Sequence, residues 1–146
     1  MIKGVQIKPL KILRDERGQV MHMMRCDDDY FRQFGEIYFS VVNPGIVKGW
    51  KKHLKMTQHF AVPRGDIKLV LYDDRAQSVT HGEIQEIWMG EKNYQLVCIP
   101  PLVWYGFRAQ SKEPAMIANC CDIPHDPKEV ELRPIEDSSI PYTWKE

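Results

Sequence analysis

The chain has 146 residues, 43% of them hydrophobic and 27% charged, with 20 basic and 20 acidic side chains and a formal net charge of +0. That size implies one domain over 1–146, with enough chain to bury a core, and the balanced charge gives nucleic-acid binding no support. No apolar run reaches the length of a membrane span and the start lacks a signal peptide's apolar centre, so a cytoplasmic protein with no membrane partner is expected.

In chain order, DDDYFRQF at 27–34 predicts a short helix capped by Asp27 or Asp28, with Tyr30, Phe31 and Phe34 packing inward. The same acidic run lacks the glycine and terminal glutamate of a calcium loop. Strand signals follow: IYFSVV at 37–42, HFAV at 59–62, IKLVLY at 67–72, EIQEIWM at 83–89, YQLVCI at 94–99 and AMIANC at 115–120. Turn residues separate them: NPG at 43–45, PRGD at 63–66, GEKN at 90–93 and SKEP at 111–114. Short strands at this spacing predict an all-β sandwich or barrel. The tail from Pro124, rich in prolines and acids, reads as irregular. Cys26, Cys98, Cys120 and Cys121 form no CxxC pair, so buried reduced thiols are expected.

Two segments carry the chemistry. Gly45 precedes five residues, then Lys51-Lys52-His53, four residues, Gln58, six residues and Gly65. Further on, Pro100-Pro101-Leu102 precede Val103-Trp104 and Tyr105. This spacing resembles the two signature segments of the cupin barrel. The resemblance implies an all-β double-stranded β-helix, a jelly-roll barrel with a short N-terminal arm. It places the metal-binding positions of metal-dependent cupins at Lys51, His53, Gln58 and Tyr105. A divalent metal needs several imidazoles, thiolates or carboxylates, and only His53 is a good ligand, so no metal is expected.

Among metal-free cupins, the chain resembles the dTDP-4-dehydrorhamnose 3,5-epimerase family from about Asp15 to Trp144. The ordered pieces are Asp15-Glu16-Arg17-Gly18, Lys48-Gly49-Trp50-Lys51, Arg64-Gly65, Tyr72-Asp73-Asp74-Arg75 and Trp104-Tyr105-Gly106-Phe107. The resemblance implies a homodimer whose arm reaches the partner's pocket, a nucleotide-sugar ligand, no cofactor, and proton abstraction beside a 4-keto group. It also marks departures. Lys51 stands at the family's basic histidine and Gln58 at its lysine. The catalytic tyrosine falls near Ala118 and Asn119, and the carboxylate behind the base falls past the last residue. The related dTDP-sugar 3,4-ketoisomerases carry two histidines in this segment, and His53 aligns with the second.

His53 is therefore the candidate base, its ordinary pKa suiting proton transfer near neutrality. The alternative is a strand-edge histidine with a satisfied hydrogen bond. Strand alternation in WKKH turns Lys51 inward with His53 and Lys52 outward. Lys51 is then a catalytic lysine or a counter-ion for an enolate or phosphate, against a plain surface lysine. Tyr105 is a candidate acid or a packing aromatic. Gln58 is a donor to a sugar oxygen or a strand-closing amide. Arg17 and Lys48 match positions that contact the diphosphate, and Arg75 reads as a structural partner of Asp73 or Asp74. His22, His59, His81 and His125 read as surface or core residues. Asp126 or Asp137 could replace the missing carboxylate from the tail. Two functions stay open: a metal-free epimerase or ketoisomerase of a nucleotide-linked 4-keto-6-deoxy sugar, or a non-catalytic sugar-nucleotide-binding cupin that lost the family's base.

Overall fold

The computed structural model describes residues 1–145. Its strands are β1 (Gln6–Pro9), β2 (Ile12–Asp15), β3 (Gly18–Met21), β4 (Glu36–Val42), β5 (Val47–His53), β6 (Gln58–Arg64), β7 (Asp66–Tyr72), β8 (Ile84–Gly90), β9 (Gln95–Ile99), β10 (Trp104–Ala109), β11 (Ala115–Cys121) and β12 (Val130–Leu132). They form two five-stranded sheets, ordered β1-β9-β6-β11-β4 and β12-β5-β10-β7-β8, and a β2-β3 hairpin. Antiparallel pairing runs throughout the two sheets. The expected jelly-roll barrel is the architecture observed.

The core lies between the sheets, where inward residues of both meet: Phe60, Val97, Ile99 and Ile117 from the first, and Leu69, Leu71, Ile87, Tyr105 and Phe107 from the second. The outer faces are also covered, which explains the nearly continuous apolar run of β7. Leu10, Ile12, Met21, Met23 and Tyr30 pack over Ala61, Tyr94, Leu96 and Cys98 on the first sheet. Ile140, Tyr142 and Trp144 pack over Trp50, Val70, Tyr72 and Trp104 on the second. One strand stays bare outside: Ile37, Phe39 and Val41 on the edge strand β4 are 48%, 60% and 47% exposed.

Three local expectations are corrected. Residues 27–30 form turns and 31–34 an irregular segment, not a helix. The Asp28 carboxylate accepts from Arg25 N at 2.6 Å and Tyr30 Oη at 2.8 Å. Such local side-chain bonding competes with helical pairing, and Phe34, expected to pack inward, is 65% exposed. Cys26 is exposed while the other three cysteines are buried free thiols. The tail is irregular except for one stretch: a 3-10 turn at Pro127–Glu129 leads into β12, which pairs with β5 through Val130↔His53, Glu131↔Lys52 and Leu132↔Lys51.

Two glycines set the approach of β5 to β10. A Cβ on Gly49 would sit 2.8 Å from the Gly106 Cα, and a Cβ on Gly106 would meet Trp144 at 3.0 Å. The ladder between these strands shifts register there, between Tyr105 and Phe107.

Candidate active site

The barrel opens where β4, β5, β10 and β11 meet. An inner cavity of about 110 Å³ is lined by Tyr38, Ser40, Lys48, Lys51, Phe60, Tyr105, Phe107, Ile117 and Asn119, among others. It shares Tyr38 and Lys51 with a wider cleft of about 620 Å³ that adds Glu36, His53, His125 and Leu132. Small-molecule sites generally occupy roughly 300–1,000 Å³. The outer cleft alone falls in that range, and the inner cavity extends it past Tyr38 and Lys51.

Strand alternation places the side chains as the sequence predicts. Lys51 and His53 face the cleft, and Lys51 pairs across the ladder with Tyr105. Lys52 turns to the outer face, 3.2 Å from Glu131 and 3.6 Å from Asp74, over the Trp104 ring. Among the described residues no carboxylate pairs with Lys51 or Lys48. Lys48 Nζ donates to Val41 O at 2.6 Å and Ser40 Oγ at 3.2 Å. Two ammonium groups thus line the inner cavity without a counter-charge, which suits an anionic ligand.

His53 is 6% exposed and its Nδ1 meets the Glu129 carboxylate. Glu129 Oε2 also accepts from the backbone N–H groups of Lys55 and Met56, each at 3.2 Å. Burial pushes the Glu129 carboxyl up, but the bonds from His53 and the two amides outweigh it and hold the group below its ordinary value. The ionised carboxylate fixes the proton on Nδ1 and leaves Nε2 as the accepting nitrogen. Tyr105 Oη lies 3.5 Å from that Nε2. Desolvation pushes the Tyr105 phenol well above its ordinary value, so it stays protonated.

Glu129 is the carboxylate that the sequence placed elsewhere. Asp126 instead caps the 3-10 turn, accepting from Lys128 N at 2.9 Å, and Asp137 accepts from Ser139 N at 2.8 Å. Gln58 is buried, and its Oε1 accepts from Asn119 Nδ2 at 3.0 Å. Arg17 does not join the cluster within this chain. It sits 83% exposed at the β2-β3 turn, paired with Asp15 at 2.6 Å. Arg75 clamps the buried Asp73 at 2.7 Å, remote in role from the cavity. His125, read as a default surface residue, lines the outer cleft. His59 is a core residue whose Nδ1 meets Cys120 O at 2.8 Å. Among the described residues no three His, Cys, Asp or Glu side chains converge as a metal site would need.

A jelly-roll barrel whose mouth holds an imidazole–carboxylate pair beside two ammonium groups without a counter-charge carries the groups that acid–base chemistry on a small anionic ligand uses. The family can be stated more closely. The sequence model of the family described as dTDP-4-dehydrorhamnose 3,5-epimerase matches residues 1–146, and the chain belongs to that family. The probable low-salt glycan biosynthesis epimerase Agl13 of Haloferax volcanii is 37% identical over 120 residues, covering 81% of this chain and 77% of that protein. The spore coat polysaccharide biosynthesis protein SpsL of Bacillus subtilis is 32% identical over 146 residues, covering 99% and 97%. The crystal structure of a dTDP sugar isomerase from Desulfovibrio desulfuricans G20 superposes with a TM-score of 0.96 at 49% identity, covering 98% and 92%.

Proposed function

We propose that this chain is an epimerase of a dTDP-linked 4-keto-6-deoxy sugar, working by proton abstraction beside the ketone. The observation that carries the reading is the His53–Glu129 pair, which presents an unprotonated Nε2, with the Tyr105 hydroxyl beside it, at the mouth of a cavity lined by Lys48 and Lys51. The ketone acidifies the neighbouring C–H, so the step needs a base and a place for enolate charge. His53 Nε2 takes the proton. The Lys51 ammonium stabilises the enolate oxygen, a contribution that is generally large, while the buried Gln58 lines neither space and supports Asn119 from behind. Tyr105 keeps a protonated hydroxyl beside His53 Nε2 and takes part in handling that proton. Lys48 binds the diphosphate as a point charge.

Membership in an epimerase family supports this reading against a pure binding module. A second copy completes the site in the same proposal. The bare outer face of β4, with Ile37, Phe39 and Val41 exposed, is an edge that a partner would cover. The exposed Arg17 on the hairpin would then serve the partner's diphosphate. Incubation with a dTDP-4-keto-6-deoxy sugar, followed by NMR of the product, tests the function. A stereoisomer inverted beside the ketone is expected. Binding with no chemical change would return the protein to the binding-module reading.

A further inference from the structure

Inverting a carbon requires proton carriers on both faces of the enolate. His53 and Tyr105 do not divide that work. Their functional atoms lie 3.5 Å apart, their rings stack with planes 8° apart, and β5 and β10 are neighbours in one sheet. Both groups reach a bound sugar from the same wall.

The opposite wall is the other sheet, and β4 presents Tyr38 there. Tyr38 lines the inner cavity together with Tyr105 and the outer cleft together with His53. Glu36, on the same strand, lines only the outer cleft. The hydrogen bonds around Tyr38 also fix its proton. The backbone N–H of His59 can only donate, and it donates to Asn119 Oδ1 at 3.3 Å. The other end of that amide is therefore Nδ2, which donates to Gln58 Oε1 at 3.0 Å and to Tyr38 Oη at 2.9 Å. Tyr38 thus accepts from Asn119, and its own hydrogen has no protein acceptor among the described residues. Tyr38 is 39% exposed, and the partial desolvation of its phenol holds it above its ordinary pKa, partly offset by the Asn119 amide, so it enters the reaction protonated.

We infer that Tyr38 is the catalytic acid that returns a proton to the face opposite His53, with Asn119 positioning its oxygen. The inference rests on the epimerase reading above. His53 Nε2 takes the hydrogen as a proton, and the C–H electron pair moves into the enolate. The Tyr38 O–H bond then breaks toward the same carbon from the other side, and the enolate pair forms the new C–H bond as the ketone returns. An imidazolium and a phenolate remain. The Asn119 N–H stabilises the phenolate, and water takes the proton from one and supplies it to the other.

The test is NMR of the substrate carbons in deuterated water, reading exchange and inversion separately in wild type, Tyr38→Phe, Tyr105→Phe and Glu36→Gln, each checked for an unchanged melting temperature. In Tyr38→Phe, exchange with retention persists within about threefold while inversion falls by about 10²-fold or more. Inversion at the wild-type rate in Tyr38→Phe overturns the assignment. So does loss of exchange together with inversion in that variant, or selective loss of inversion in Tyr105→Phe or Glu36→Gln. Wild type that exchanges without inverting removes the role of Tyr38 and leaves proton abstraction standing. Wild type that does neither removes the epimerase reading, and this assignment with it.

Discussion

Glu129 holds His53 Nδ1 from 76 residues further along the chain, and that contact selects which ring nitrogen faces the cleft. The contact exists because β12 pairs with β5 and returns the preceding turn to the end of the same strand. Glu129→Gln keeps the size and loses the charge, so Nδ1 loses its anionic partner and the tautomer is no longer fixed. The expected result is a fall in kcat of about 10²–10⁴-fold with KM changed much less. Steady-state kinetics with a 4-keto nucleotide sugar measure it. Loss confined to KM would contradict the role.

Stability should depend on pH through two buried carboxylates. Burial raises Asp73, but bonds from Arg75, Ser78 and Thr80 more than reverse that and depress its pKa in the folded state. Glu129 is depressed in the same sense by His53 and the Lys55 and Met56 amides. Groups depressed on folding contribute stability that is fully present above their unfolded pKa values, about 4. That contribution is lost as pH falls through the folded values. Chemical denaturation should therefore show this contribution level from pH 7 to about 5 and falling from about pH 4 downward. Asp73→Asn should cost about 3–5 kcal/mol at pH 7, because it strips the charge partner of Arg75, and it should flatten the pH slope. An unchanged slope in the variant would refute the assignment.

The close passage of β5 over β10 makes a third prediction. Gly49→Ala puts a methyl 2.8 Å from the Gly106 Cα, a backbone contact that cannot rotate away. Overpacking of this kind costs about 1–3 kcal/mol. Because Gly49 lies between Lys48 and Lys51, nucleotide-sugar affinity should fall as well. Thermal unfolding and calorimetric titration read the two effects.

The bare face of β4 makes a fourth. Phe39→Asp places a charge in the middle of the exposed apolar row and should leave the protein monomeric, while the wild type elutes as a dimer in light-scattering chromatography. Activity should fall with dimer content if Arg17 serves the partner's site. A monomeric wild type would contradict the interface.

Much of the barrel is legible in the sequence because its strands carry β-branched and aromatic runs bounded by Gly and Pro turns. The register of WKKH is legible too, since period-two alternation sends Lys51 and His53 one way and Lys52 the other. Other features leave no local signal. The polar strand β5 has weak strand propensity and is held by neighbours on both sides. Glu129 is one acid among several in the tail, and only a long-range strand pairing selects it over Asp126 and Asp137. Tyr38 is hidden for a similar reason: its partner Asn119 is 81 residues away. The helix expected at 27–34 fails because Asp28 satisfies its neighbours through its side chain rather than capping a helix.

The central claim is that His53, held by Glu129, removes the proton beside the ketone. The most direct measurement is deuterium incorporation at the carbons flanking the ketone of a dTDP-4-keto-6-deoxy sugar, comparing wild type with His53→Ala. The account predicts rapid incorporation in wild type and a rate lowered by about 10²–10⁴-fold in the variant. Incorporation at the wild-type rate in folded His53→Ala would contradict it.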